Sequence, residues 1–276
     1  MNTSQIMDLA LQLAGFSDIP GDSAVYKSCA EPKRILFGVD VGVAELTMAK
    51  SLGYDLVIAH HPPMLSALHG WEVYHDHVRL MTDNGVPREA AEEAVRDRVN
   101  MMQSRFASAN HDHFPSVAKL LDIGFMNIHQ PLDELGRRAM QDCVDGVLAK
   151  DQDASLGTMT TTLAELPEFA GAPTNVELLV GQKGVRAGKT VVAHGALTNG
   201  GYEVARAYFD NGTDTVIYIH VPAQTVTKLR KEGLGQLIVT GHIASDLLGI
   251  NPFVQELRDL GLDVDVFSGV RDEYLD

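Results

Sequence analysis

The feature that most restricts the fold is a regular alternation of short apolar runs with longer helical stretches. Arg34 to Asp40 and Asp55 to Ala59 are apolar runs of strand length, and the helix-like stretch Val43 to Leu52 lies between them. This order is typical of a β-α-β unit, in which the two strands are parallel. Because the helix of such a unit covers the sheet, the pattern predicts an α/β protein.

The remaining apolar runs extend this rhythm to the C-terminus. We predict further strands at 124–129, 176–180, 189–193, 214–219, 236–239 and 261–267, and helices at 1–14, 86–110, 133–150, 201–211 and 224–231. The polar segment 151–162 shows little periodicity and is interpreted as a linker or insertion.

The sequence therefore predicts two α/β lobes with mixed or parallel sheets. The N-terminal lobe covers residues 1–150 and includes the helical insertion at about 86–110, and the C-terminal lobe covers residues 151–276. Functional residues are expected at the carboxyl ends of parallel strands. A site is accordingly expected in the cleft between the lobes.

Composition excludes several classes of function. The 22 basic and 37 acidic residues give a formal net charge of −15, which disfavours a general nucleic-acid binder or a protein bound to anionic lipid. Cys29 and Cys143 provide no disulfide framework and no Cys-x-x-Cys motif, which favours the cytoplasm. The first 14 residues form an amphipathic pattern without the basic start of a signal peptide. No apolar stretch reaches membrane-spanning length.

The strongest chemical signal is His60-His61-Pro62-Pro63, which ends a buried strand. Neighbouring side chains on a strand point to opposite faces, so the two imidazoles are expected to address two metal ions, or one ion and an outer partner. The alternative is that both rings hydrogen-bond to loop backbone. Their position at a strand end, together with two further clusters, favours the metal site.

The two further clusters also follow predicted strands. His242 and Asp246 lie four residues apart at the start of a helix, a spacing that suits zinc, manganese or iron. His129 ends a strand and Asp133 begins a helix, where Asp133 is a candidate bridging carboxylate. The simpler alternatives are that Asp133 is an N-cap and that Asp246 stabilises the helix dipole.

Other histidines carry weaker signals. His75 and His77, like His111 and His113, have His-x-His spacing in polar segments and are expected at the surface. His194 ends another strand and precedes Asn199-Gly200-Gly201, which is either an anion-binding turn or a simple tight turn.

In this order, Asp22-Ser23-Ala24-Val25, His-His-Pro, His-x-x-x-Asp, a Gly-rich turn and Gly-His-x-x-Ser-acid resemble the Nif-three-like family, whose members are labelled GTP cyclohydrolase type-two homologues. The resemblance spans almost the entire chain. It implies that His60, His61, Asp133, His242 and Asp246 bind two divalent ions, with His129 beside them. Two departures are Asp246, where the family usually has glutamate, and a longer stretch between His61 and His129.

The resemblance also implies a function. Two bound divalent ions favour hydrolysis, with His129 as the candidate general acid or base and a nucleotide as the expected small-molecule substrate. The resemblance further suggests a homo-oligomer, in the form of a hexameric ring. Two alternatives stay open: a non-catalytic metal-binding or scaffold protein, and a two-metal phosphoesterase.

Overall fold

The computed structural model describes residues 1–63, 67–194 and 200–271. Its helices are α1 Thr3–Ala14, α2 Val43–Ser51, α3 His75–Asp83, α4 Arg88–Ala107, α5 His113–Leu121, α6 Gln130–Lys150, α7 Leu156–Ala164, α8 Pro167–Ala170, α9 Gly201–Asp210, α10 Ala223–Glu232 and α11 His242–Asp259. Its strands are β1 Ala24–Lys27, β2 Arg34–Gly38, β3 Leu56–Ala59, β4 Gly124–Asn127, β5 Glu177–Val180, β6 Thr190–Val192, β7 Thr215–Tyr218, β8 Gln236–Val239 and β9 Asp263–Phe267. Within these described ranges, no helix is both long and apolar enough to cross a membrane.

The chain divides into two compact units. The first unit comprises Met1–Val73, Met101–Leu135 and Gly249–Asp276, and the second comprises Tyr74–Asn100 and Gly136–Leu248. These ranges differ from the predicted boundary at residue 150, because β9 pairs in parallel with β2 in the first unit. Pairing between strands at opposite ends of the chain leaves no local signal in the sequence.

The first unit contains a five-stranded sheet of order β1-β4-β3-β2-β9. The strand β1 is antiparallel to β4, and the other neighbours are parallel. All four residues of β3 are buried, which explains their continuous apolar character in the sequence. The residues Leu36, Val57 and Phe125 of this sheet pack in one core cluster with α2 and α5.

The second unit contains a four-stranded sheet of order β5-β8-β7-β6. Here β5 is antiparallel to β8, and the other neighbours are parallel. The core cluster on this sheet includes Val192, Ile217 and Ile238, against which α6 and α7 pack. Both sheets are therefore mixed, and the predicted α/β class is confirmed.

The predicted linker at 151–162 is wrong, because α7 occupies most of it. Leu156, Met159 and Leu163 are buried at helical spacing, and the Ser155 hydroxyl accepts a hydrogen bond from the Thr158 amide as the N-cap. The run of threonines between these apolar residues has low helix propensity and hides the helical pattern. Packing against the second sheet outweighs that preference.

Candidate metal centre

The first unit brings the paired histidines to the carboxyl end of β3. The amides of His60 and His61 donate to the carbonyls of Gly38 and Val39, so the chain still runs beside β2 after the strand ends at Ala59. Prolines follow directly, and without amide hydrogens they cannot continue the ladder. The two imidazoles are consequently held at the edge of the sheet.

His129 reaches the same edge from β4. One ring nitrogen from each of His60, His61 and His129 lies within 4.8 Å of the other two, which is close enough for a shared metal ion. The expectation that the paired rings address two ions, or one ion and an outer partner, stays a prediction. The strand ends at Ala59, so the alternation of a regular strand does not apply to the next two residues.

Each of these three rings has its Nδ1 held by an acceptor. The partners are the Ile128 carbonyl for His60 at 3.1 Å, Asp40 Oδ1 for His61 at 2.8 Å and Asp22 Oδ2 for His129 at 2.7 Å. A neutral imidazole that donates from Nδ1 carries its lone pair on Nε2. Such outer partners fix the tautomer and ring orientation of histidine ligands.

Asp133 completes what we name the His60 cluster, consisting of His60, His61, His129 and Asp133. Its carboxylate oxygens lie 3.3 Å from His60 Nε2 and 3.6 Å from His129 Nε2. Its side chain is only 3% exposed. A buried carboxylate facing imidazole Nε2 atoms is a donor set suited to a cation.

The residue Asp133 is not an N-cap. Helix α6 begins at Gln130, and the amides of Leu132 and Asp133 already donate to the carbonyl of His129. Asp133 therefore lies in the first turn. The alternative that both rings hydrogen-bond to loop backbone is correct for His60 Nδ1, which bonds to the Ile128 carbonyl. It is not correct for His61 Nδ1, which bonds to the Asp40 carboxylate.

Asp40 is held by an unusual backbone conformation at Ser268. The Ser268 hydroxyl accepts a hydrogen bond from the Asp40 amide at 3.2 Å, and its carbonyl accepts one from the Val39 amide. Ser268 has a φ of 49°, which is uncommon for a residue other than glycine. This strain is located where the chain positions the acceptor of His61.

Asp22 lies in a buried polar network. The carbonyl of Asp22 accepts from Asn127 Nδ2 at 2.8 Å, and Tyr26 Oη donates to Asn127 Oδ1 at 2.7 Å. Burial, followed by the negative charge of Asp22, raises the pKa of Tyr26 well above its ordinary value. The phenol therefore stays a neutral donor. The Ser23 hydroxyl also accepts from the His129 amide at 2.9 Å.

The second unit places histidines after each of its three parallel strands. His194 follows β6, His220 follows β7 and His242 follows β8. The ring centroids of His220 and His242 lie 4.7 Å apart. We name these three residues and Asp246 the Asp246 cluster.

The carboxylate of Asp246 connects this cluster. Its Oδ2 lies 3.4 Å from His242 Nε2, and its Oδ1 lies 3.8 Å from His194 Nε2. Asp246 is 1% exposed and is the fifth residue of α11, beyond the first turn. A simple role in stabilising the helix dipole therefore does not account for it.

Sequence reasoning missed or underrated four residues. The sequence motifs include Asp22 without assigning it a role, give His194 only a weak signal, and do not indicate Asp40 or His220. Asp40 and His220 follow parallel strands on the same edge as predicted ligands, so topology could have indicated both. Asp22 follows no strand and is brought in by long-range contacts.

The structure also bears on the predicted surface histidines and the predicted glycine-rich turn. His77 is 1% exposed and its ring centroid lies 5.8 Å from that of Tyr74, so the prediction of a surface position is wrong for this residue. It faces inward from the amphipathic helix α3. The predicted turn Asn199-Gly200-Gly201 begins outside the described residues.

The chemistry of the donors fits a divalent transition metal. Imidazole nitrogens with carboxylate oxygens suit zinc, manganese and iron, and the side chains of His60 and Asp133 are almost fully buried. Burial of such groups is costly unless they are paired or bind a cation. The structure thus supports a metal site of histidine and aspartate residues in this protein.

Comparisons with known proteins identify the family. No protein-family model and no curated protein matches the sequence. Two solved structures share the fold at low identity: reduced HcgD from Methanocaldococcus jannaschii (15% identical, TM-score 0.55, 97% of each chain covered) and a hypothetical protein, SA1388, from Staphylococcus aureus (13%, 0.52, 97% of this chain and 96% of that one). A third solved structure is much more similar in sequence. The chain is 48% identical to a NIF3 superfamily protein from Sphaerobacter thermophilus, with a TM-score of 0.95 over 98% of this chain and 99% of that one. At that identity over almost all of both chains, this protein belongs to the NIF3 superfamily, as its His-His-Pro and Gly-His motifs predict.

Proposed function

We propose that this protein binds two divalent metal ions and hydrolyses a nucleotide with them. The ligands in this proposal are His60, His61, Asp133, His242 and Asp246, and the ions are zinc, manganese or iron. The main support is the His60 cluster, in which three imidazoles have Nδ1 fixed and one nitrogen of each lies within 4.8 Å of the others. Preorganised donors of this kind favour a bound ion over a set of unrelated surface histidines.

The chemistry of the donors supports hydrolysis as the proposed reaction. When bound, such ions act as Lewis acids and activate water near neutral pH. Ligand sets that leave coordination positions open suit catalysis better than closed structural sites. The nucleotide substrate is part of the proposal through the family resemblance, and a phosphoester would use the same chemistry.

His129 has a proposed role in proton transfer. Asp22 accepts from its Nδ1 at 2.7 Å, which leaves Nε2 as the atom that exchanges a proton or binds an ion. Its Nε2 lies 3.6 Å from Asp133 Oδ2. The two roles differ in their consequences, since loss of a ligand lowers metal content, whereas loss of an acid or base changes the pH profile of kcat.

The test combines metal content with activity. Wild-type protein is expected to retain close to two equivalents of metal and, with manganese, zinc or iron, to hydrolyse a member of a nucleotide and phosphoester panel. His61→Ala is expected to lose both properties. Because the His61 side chain is only 21% exposed, circular dichroism of the variant is needed to show that its fold persists. His69→Ala is the matched control, since His69 is 62% exposed and bonded to Glu72.

The outcomes separate the alternatives. Metal binding without turnover of any panel member would favour the non-catalytic metal-binding or scaffold protein. Absence of metal from wild type and from the variant alike would contradict the metal site itself. The location of the site in a cleft, the hexameric ring and the cytoplasmic localisation stay predictions.

A further inference from the structure

A cavity of about 520 Å³ opens beside His61 in the first unit. Its lining includes the acidic residues Asp40 and Glu45 and the aromatic residues Phe114 and Phe267. Its volume lies in the range of small-molecule sites. The cavity is therefore large enough for a ring with a short polar substituent.

The polar side chains of this cavity favour a positively charged ligand. Among the described residues that line it, there are two carboxylates and no lysine or arginine. Asp40 uses Oδ1 to accept from His61, and Glu45 uses Oε2 to accept from the Gly42 amide. The second oxygen of each carboxylate is thus available as an acceptor for a ligand.

The same contacts disfavour an anion. Helix α2 begins at Val43 beside the cavity, and a helix N-terminus is ordinarily suited to phosphate. Here the Glu45 carboxylate occupies that position and receives the Gly42 amide at 2.7 Å. A phosphate or carboxylate ligand would meet this negative charge at close range.

The aromatic wall is fixed by the sheet. Phe267 pairs with Gly38 across β9 and β2, and its ring covers that glycine so closely that a Cβ there would lie 2.3 Å from a ring carbon. Phe114 is 5% exposed and belongs to the core cluster. Rigid aromatic rings attract organic cations through their negatively polarised faces.

We propose that this cavity binds an organic cation, an ammonium or guanidinium group carried on an apolar or aromatic body. The carboxylates and the aromatic rings of Phe267 and Phe114 bind the charged group, and the rings also contact the apolar body that carries it. This binding site goes beyond the proposed hydrolysis and does not require a bound metal.

The test uses three probes that share one ring and differ in charge. Benzylamine is protonated at neutral pH, benzyl alcohol is neutral and benzoate is anionic. Dissociation constants are measured by NMR titration with protein as purified and again after treatment with a chelator. Benzylamine is expected to bind about tenfold more tightly than benzyl alcohol, and benzoate more weakly than either.

Two variants locate the binding. Glu45→Gln keeps the acceptor for the Gly42 amide and removes the charge, so it should weaken benzylamine about fivefold and leave benzyl alcohol within about twofold. Phe267→Leu keeps most of the volume and removes the ring, and it should weaken benzylamine by a similar factor. Glu89→Gln, an exposed glutamate in the first turn of α4, is the matched control and should change neither value.

Three results would overturn the proposal. These are equal binding of benzylamine and benzyl alcohol, tighter binding of benzoate, and unchanged benzylamine binding in both cavity variants. The three probes are also compared with chelator-treated protein, in which metal-dependent hydrolysis cannot occur. A failure of the cation-binding proposal is therefore distinguishable from a failure of the proposed hydrolysis.

Discussion

The two units share a sheet topology but hold their histidines with different side-chain contacts. Each has a mixed sheet with one antiparallel edge strand, and each presents metal-binding residue types after its parallel strands. In the first unit these residues are Asp40, His60, His61 and His129, and in the second they are His194, His220 and His242. The repeated topology explains why histidines distant in sequence gather at one edge of each sheet.

The units differ in how the imidazoles are held. In the His60 cluster, Asp22, Asp40 and the Ile128 carbonyl accept from the Nδ1 atoms, and Asp133 is a separate carboxylate. In the Asp246 cluster, a single carboxylate contacts both His194 and His242. In the first arrangement a separate acceptor holds each imidazole, whereas in the second one carboxylate contacts two of the imidazoles.

The largest effect is expected from Asp246→Asn. This change removes the charge that His194 and His242 share while keeping the size of the side chain. We expect the affinity for zinc to fall by more than about 100-fold, beyond the usual effect of an outer partner. The measurement is competition with a chromophoric chelator.

The matched comparison for this prediction is Asp133→Asn. The His60 cluster keeps three imidazoles with fixed Nδ1 atoms after that change, so its loss of zinc affinity should be smaller. If Asp133→Asn lost as much zinc affinity as Asp246→Asn, or more, the three fixed imidazoles of the His60 cluster would not make it less dependent on its carboxylate.

A smaller effect is expected from Asp22→Asn. Asp22 is 0% exposed, and its carboxylate receives Nδ1 of His129 at 2.7 Å. Loss of this charge should lower metal affinity or kcat by about 10-fold to 100-fold, as for other outer partners. Asp18→Asn, at an exposed position bonded to Ser17, is the control.

A still smaller effect is expected from Asp40→Asn. Its bond to His61 has nearly the same length, at 2.8 Å, but the Asp40 side chain is 72% exposed. Water screens such a pair and replaces part of the lost interaction, so the decrease should stay below about 10-fold. If Asp40→Asn lowered metal affinity or kcat more than Asp22→Asn, burial would not determine how strongly these carboxylates support their histidines.

The elements with strong local patterns could be predicted from the sequence. The apolar run of β3, ended by Pro62 and Pro63, gave both a strand and the position of His60 and His61. The spacing of His242 and Asp246 indicated a shared helical face, and the contact at 3.4 Å agrees with it. Local periodicity and the position of the prolines therefore account for the α/β class and for the residue types of the candidate metal centre.

The rest depends on contacts between distant segments. Asp22 reaches His129 across 107 residues, and β9 joins β2 although the two strands lie at opposite ends of the chain. The helix α7 has apolar spacing but weak helix formers, so its packing decides its conformation. Neither pairing partners nor outer carboxylates can be read from one segment alone.

In each unit, an aspartate lies directly before a central parallel strand, Asp55 before β3 and Asp214 before β7. Asp55 donates its amide to the Arg34 carbonyl and accepts from the Gly124 amide, and Asp214 makes the equivalent bonds to Lys189 and Gln236. Their side chains differ. Asp55 Oδ2 accepts the amides of Lys33 and Arg34, each at 2.9 Å, whereas Asp214 Oδ2 accepts the amide of Lys189 at 2.8 Å.

The smallest expected effect is on stability, in Asp55→Asn. The backbone amides of Arg34 and Lys33 lower the pKa of Asp55 below its ordinary value of 3.8. The ionised carboxylate therefore stabilises the fold above about pH 4, and this contribution is lost as pH falls through the lower folded pKa. Because the group is exposed, Asp55→Asn should cost less than about 1 kcal/mol at pH 7 and progressively less as the pH falls below about 4. Asp214→Asn, which loses one charged acceptor bond to an amide, should cost less. Urea unfolding at several pH values measures both, and a cost for Asp55→Asn that does not depend on pH would contradict the electrostatic origin.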